Sequence, residues 1–232
     1  MGISTLFKDF ISLFYPHTCA ACGKTLLQNE EMLCTYCLYE LPKTNYHLYP
    51  SNPLEKAFRG RCEIAHVAAL FLFQKRSNVQ HLIHKLKYKG RKDIGIFLGN
   101  MLGSDLATCE SFGDISVVIP LPLHRKKERK RGYNQSELFA NGISAALHIP
   151  VDTHTLIRTT HTKSQTRKSR FARWQNVKDV FEITNLENLK NKHVLLVDDV
   201  ITTGATMEAA TTALLKIEGI KVSLACIGFA ND

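Results

Sequence analysis

Two stretches of this sequence carry residues whose types and spacing could do chemistry. The first is HVLLVDDVITTGATM, His193 to Met207, in which an apolar run ends in two adjacent carboxylates, Asp198 and Asp199. Thr202, Thr203, Gly204, Ala205 and Thr206 follow almost at once. Acids at the end of a buried strand are costly unless something compensates them. The loop says what does. Gly204 permits a close backbone approach, consecutive N–H groups at a helix start cradle an anion, and three threonine hydroxyls add donors. Such a loop suits a phosphate. The carboxylates cannot bind that phosphate, but they can accept hydrogen bonds from sugar hydroxyls or hold a divalent ion that bridges to it. A ribose with a terminal phosphate meets both demands. The bland alternative, a strand–turn–helix that merely happens to be acidic, would break many local rules to no end.

The second stretch holds four of the seven cysteines, as CAAC at Cys19 and Cys22 and CTYC at Cys34 and Cys37. Two Cys-x-x-Cys pairs eleven residues apart have the spacing of a tetrathiolate zinc knuckle. Disulfides or a redox pair are the alternatives; a reducing compartment disfavours the first, and the second needs only one pair. Four thiolates leave no open coordination position, so Zn²⁺ here would hold structure.

Charge supplies the third clue. The net charge of +9 is gathered into His84 to Lys92, His124 to Arg131, and Thr162 to Arg173. One such run is ordinarily a solvated face; three, two of them beside candidate phosphate loops, point to a polyanionic partner. Arg125, Lys126, Lys127, Arg129, Arg167, Lys168, Arg170 and Arg173 are the candidates for a nucleic-acid backbone. Tyr88, Tyr133, Phe171 and Trp174 lie among them, as single-strand binding by charge and stacking requires, or they pack in the core.

The elements that must position these residues alternate. Residues 62–73, 115–124, 151–159, 193–200 and 220–230 read as strands; 77–90, 93–108, 134–148 and 204–219 read as helices. Between residues 41 and 53 lies a polar connector rich in Pro and Tyr. The alternation predicts an α/β fold, a mostly parallel sheet flanked by helices, with ligands beyond the carboxyl ends of the strands. The expected division is an N-terminal helix and zinc ribbon over residues 1–45 and one larger domain over 46–232. At 232 residues and 44% apolar composition there is material for one full core and a small appendage. No segment approaches the roughly 18 apolar residues of a membrane span. The first sixteen residues space Ile3, Leu6, Phe7, Phe10 and Phe14 as a short amphipathic helix, without the features of a secretory signal. The expected location is cytoplasmic.

VLLVDDVITTGAT resembles the phosphoribosyl-pyrophosphate (PRPP) motif of type I phosphoribosyltransferases. The tetracysteine stretch followed by LKYKG, PLPLHRKKERKRGYNQ and QTRKSRFARWQNV resembles the ComF family of competence proteins over nearly the whole chain. This resemblance implies a type I phosphoribosyltransferase-like fold in which Asp198 and Asp199 contact ribose hydroxyls and Thr202 to Thr206 wrap the 5′-phosphate. It implies that Leu121, Pro122, Leu123 and His124 form the pyrophosphate loop, with Lys87, Tyr88, Lys89 and Arg131 near that end. It places a lid over Thr159 to Asn176 with Arg158 at its root. Mg²⁺ would accompany PRPP, and DNA uptake in natural competence would bring single-stranded DNA and the uptake machinery as partners.

Two functions stay open at this level. The chain could bind PRPP while handling single-stranded DNA, or it could transfer ribose 5-phosphate from PRPP to a nitrogenous acceptor. No residue is assigned as catalytic. Some purine-salvage relatives carry an acidic base at the position of Thr202, and a threonine cannot be that base at neutral pH. A purely structural role for the ribbon would leave the PRPP motif unexplained.

Overall fold

The protein is described from a computed structural model covering residues 17–159 and 180–230. The central sheet contains β1 (Val67–Leu72), β6 (Lys221–Phe229), β5 (His193–Ile201) and β2 (Val117–Pro120), in that order and all parallel. Val151 extends the β2 edge through one parallel bridge to Val118. These strands read as unbroken apolar runs because both faces are covered. Successive residues feed opposite layers: Leu195 and Val197 enter one apolar cluster, Val194 and Leu196 the other.

The first layer holds α3 (Asn78–Tyr88), α4 (Lys92–Ala107) and α6 (Gln135–Leu147), with α1 (Thr35–Glu40) and the cysteine-bearing loops packed into the same cluster. Lys85 Nζ donates to the Ala20 carbonyl at 2.9 Å, tying that segment to α3. The second layer holds α2 (Pro53–Phe58), α7 (Ala205–Leu214) and a small antiparallel pair, β3 (Leu156–Arg158) with β4 (Phe181–Ile183). Between β2 and α6 sits α5 (Arg125–Arg131).

Local chemistry explains several boundaries. Ser77 caps α3 by accepting from the Gln80 N–H. Asn134 caps α6 by accepting from the Ser136 N–H, and its amide donates to the Leu121 carbonyl at 3.0 Å. The helix start is thereby fastened to the turn after β2. At the opposite end of the sheet, His193 lies between Asp114 (2.5 Å) and the Ser223 hydroxyl (2.8 Å). Ser223 is fully buried, so this Ser–His–Asp row braces strand ends and reaches no substrate.

The sequence expectation of one strand over 151–159 needs correction. Asp152 accepts from the N–H groups of His154 and Thr155 and from the Thr155 hydroxyl. This side-chain turn breaks the segment, leaving Val151 with the central sheet and Leu156–Arg158 with β4.

Candidate functional site

The candidate site lies at the carboxyl end of β5, as the topology of an open parallel sheet requires. Ser136 in the first turn of α6 donates its hydroxyl to Asp198 Oδ1 at 2.9 Å, and the Asp199 N–H donates to the same oxygen at 2.7 Å. Asp199 is 8% exposed and pairs with Lys87 Nζ of α3 at 2.8 Å. Burial and the neighbouring Asp199 push the Asp198 carboxyl up to about 7, against the pull of those two donors and Lys87. Arg158 is within electrostatic reach of Asp198 and stacks over Phe181; burial draws its guanidinium below the usual range, and Asp198 opposes that.

Beyond the acids, Thr202, Thr203, Ala205 and Thr206 are exposed, while Gly204 is buried with φ +74°. The first helical bond of α7 runs from the Glu208 N–H to the Gly204 carbonyl, so the N–H groups of Ala205 to Met207 precede the ladder. They form an anion-ready helix start. Two residues that sequence reading missed shape this loop. Arg61 donates Nη1 to the Thr203 carbonyl at 2.7 Å and Nε to Glu208 at 2.9 Å. Phe58 packs under Gly204, where an added Cβ would lie 2.9 Å from its ring. The Thr203 carbonyl is thus held toward Arg61. Arg61→Ala should weaken binding of a phosphorylated ligand about tenfold, one lost charge-assisted bond's worth, in calorimetric titration.

The expected pyrophosphate-end residues divide. Lys87, Tyr88 and Arg131 line one cavity of about 350 Å³, together with Lys127, Lys130 and Tyr133. Lys89 faces solvent past the end of α3. Leu121 is buried, with Pro122, Leu123 and His124 partly exposed; His124 Nδ1 accepts from the Lys126 N–H and starts α5. Of the nucleic-acid candidates, Arg125, Lys126 and Arg129 are exposed on α5. Arg167, Lys168, Arg170 and Arg173, like the lid from residue 160 to 176 and the N-terminal helix, lie outside the described residues.

The four cysteine sulfurs all lie within 4.8 Å of one another, as free thiols. A tetrahedral ion with metal–sulfur bonds near 2.3 Å needs sulfurs roughly 3.8 Å apart, and the Cys22–Cys34 separation is 3.7 Å. Burial raises the Cys19 thiol, yet N–H groups of Cys22, Cys34 and Ala21 bring it down to about 6. The tetrad brings four sulfurs close enough to hold one metal ion.

Residues 134–231 match the family model described as "Phosphoribosyl transferase domain". The chain is 26% identical over 231 residues to "DNA utilization protein YhgH" of Escherichia coli K12, covering 97% of this chain and 96% of that one. It is 38% identical over 101 residues to "Competence protein F" of Haemophilus influenzae, covering 43% of this chain and 44% of that one. With "Competence protein ComFC" of Bacillus subtilis the identity is 28% over 206 residues, covering 82% and 81%. The matched domain begins at the cap of α6 and takes in both acids and the loop from Thr202 to Thr206. The chain is therefore a homologue of the proteins named DNA utilization protein YhgH, Competence protein F and Competence protein ComFC, with a phosphoribosyl transferase domain over residues 134–231.

Proposed function

We propose that the protein binds PRPP with Mg²⁺ at the carboxyl end of β5 and handles single-stranded DNA through its basic surface. The observation that carries the first part is the pairing of two acids, held by Ser136 and Lys87, with a phosphate-ready helix start at Ala205, six residues after Asp199. Asp198 and Asp199 accept from the ribose hydroxyls, and Thr202 to Thr206 receive the 5′-phosphate. Arg158 and Lys87 supply positive charge where a leaving pyrophosphate would develop its own. Mg²⁺, when bound, neutralises part of the pyrophosphate charge.

The test is calorimetric titration with PRPP and Mg²⁺, followed by a pyrophosphate-release assay across candidate nitrogenous acceptors. Saturable one-to-one PRPP binding is the expected result, and its absence defeats the reading. Release with one acceptor selects the transferase reading; binding without release for any acceptor selects the binding-protein reading.

Zinc is the metal that suits four thiolates in tetrahedral array. The expected stoichiometry is one zinc per chain by native mass spectrometry. Because the tetrad shares its apolar cluster with α3, α4 and α6, a chelator should lower the melting temperature of the whole chain by several degrees. The DNA part rests on the cations of α5 and the relatives' names. An oligonucleotide titration whose affinity falls steeply with salt checks it.

A further inference from the structure

The cavity beside Asp199 is lined by Lys87, Lys127, Lys130 and Arg131, with Tyr88 and Tyr133 supplying aromatic surface and no acid among the lining residues. Lys127, Lys130 and Arg131 lie three and four residues apart on α5, so one helix face delivers all three charges. Tyr88 is 59% exposed, and the Arg131 guanidinium lies 5.2 Å from its ring centroid. Four cations beside an exposed tyrosine ring, which also has the His84 ring 5.0 Å away, make a site for a phosphate joined to a base. Lys87 belongs to two sites at once, since it lines this cavity and neutralises Asp199 at 2.8 Å. A ribose whose 2′- and 3′-hydroxyls sit on the acids carries its pyrophosphate on the adjacent carbon, and Lys87 is the cation beside those acids.

We infer that the cavity is shared: it receives the pyrophosphate of PRPP or a phosphate–base unit of a single strand, and the two ligands exclude one another. The inference rests on the PRPP reading above and adds its regulation. Both polyanions would draw on the same ammonium and guanidinium groups. Two phosphoryl groups a few ångströms apart repel strongly where water is displaced. PRPP would therefore act as a release signal for the strand, and the strand as a brake on PRPP binding, with equal coupling in both directions.

The test is fluorescence anisotropy of a labelled oligo-dT on the full zinc-loaded chain, titrated at matched free Mg²⁺ with PRPP, pyrophosphate or ribose 5-phosphate. PRPP should weaken oligo-dT binding in proportion to its concentration, about tenfold at roughly nine times its own Kd and without a plateau, as mutual exclusion requires. Pyrophosphate should do the same, whereas ribose 5-phosphate, which fills the acids and the phosphate loop but not the cavity, should leave it unchanged. Lys127→Ala with Lys130→Ala should reduce the salt slope by roughly 1.4, or 0.7 for each of two single-strand phosphate contacts, with cooperative melting retained. Binding of both ligands with no mutual effect overturns the shared cavity and leaves the PRPP reading intact. Equal displacement by ribose 5-phosphate overturns it too, by moving the overlap to the acids. Oligo-dT that fails to bind defeats it together with the DNA reading. Failure of PRPP and ribose 5-phosphate to bind defeats it together with the PRPP reading.

Discussion

Gly99→Ala should destabilise the protein by about 3 kcal/mol, and Gly142→Ala by at least as much, although alanine is the better helix former at both positions. Helices α4 and α6 cross with their backbones in contact. A Cβ on Gly99 would lie 2.1 Å from the Phe139 carbonyl oxygen, and one on Gly142 would lie 2.1 Å from that of Ile96. Real Cβ contacts essentially never fall below 3.0 Å, and both obstacles are main-chain atoms within the opposing helix, so the helices must separate. Gly95 and Gly103 extend the seam one turn each way, toward Leu138 and Ala146. Intrinsic propensity favours alanine by only about 1 kcal/mol. Overpacking costs about 1–3 kcal/mol where side chains can shift, and more where they cannot. Packing therefore wins. In a chain of this size the net loss corresponds to a melting temperature lower by roughly 6–12 °C in thermal circular dichroism. An unchanged or raised melting temperature would refute the close crossing. The effect should also reach the site, because the first turn of α6 carries Ser136 to Asp198.

That seam was not legible beforehand. Gly95, Gly99 and Gly103 stand in a helix read from apolar spacing alone, and a glycine ladder gains its meaning only when its partner, Gly142, is known. The strands β1, β2, β5 and β6 were legible because burial on both faces leaves continuous apolar runs. So were Asp198, Asp199 and the loop after them, since adjacent acids at the end of such a run need a local reason. Three short α-helices among the described residues went unseen, Thr35–Glu40 inside the cysteine stretch being the first. Pro53–Phe58 began at the end of a stretch taken as connector, yet it carried a readable start: Asn52 as cap, Pro53 in first position, and Glu55 returning to the Ser51 N–H. Arg125–Arg131 was read only as a charge run, although Gly132 at φ +78° closes it as a helix end. Arg61 carried no signal at all. Its role comes from Thr203 and Glu208, more than 140 positions later in the chain, and no local pattern encodes such a contact.

Asp198→Asn should make the protein more stable at pH 8 and less able to bind PRPP, and this opposition marks a ligand site. In the unfolded chain an aspartate titrates near 3.9, whereas the folded Asp198 is pushed up to about 7 by burial and Asp199. Between those values the folded state binds the extra proton, so this group's stabilising contribution is fully present below pH 4 and is lost as pH rises through about 7. Above pH 7 the folded chain carries a charge that burial and Asp199 disfavour. The neutral isostere removes that charge, so the gain should be on the order of 4 kcal/mol at pH 8, roughly 1.4 for each of about three pKa units. At pH 5 only about a third of that gain should remain, and below pH 4, where the side chain is protonated in both states, it should vanish. Ligand binding has the opposite sign. A protonated carboxyl loses acceptor capacity for the ribose hydroxyls, so PRPP affinity should rise between pH 6 and pH 8 with proton uptake by the buffer. The Asp198→Asn, Asp199→Asn pair should lose about 100-fold in affinity, on the scale of two hydrogen bonds to charged groups. Calorimetry in buffers of different ionisation enthalpy reads the proton, and melting curves at the two pH values read the stability. If the double variant binds PRPP normally, the acids serve the fold and the ribose is held elsewhere. If Asp198→Asn is equally stabilised at pH 5 and pH 8, the buried charge is not what sets the balance between holding the fold and holding the sugar.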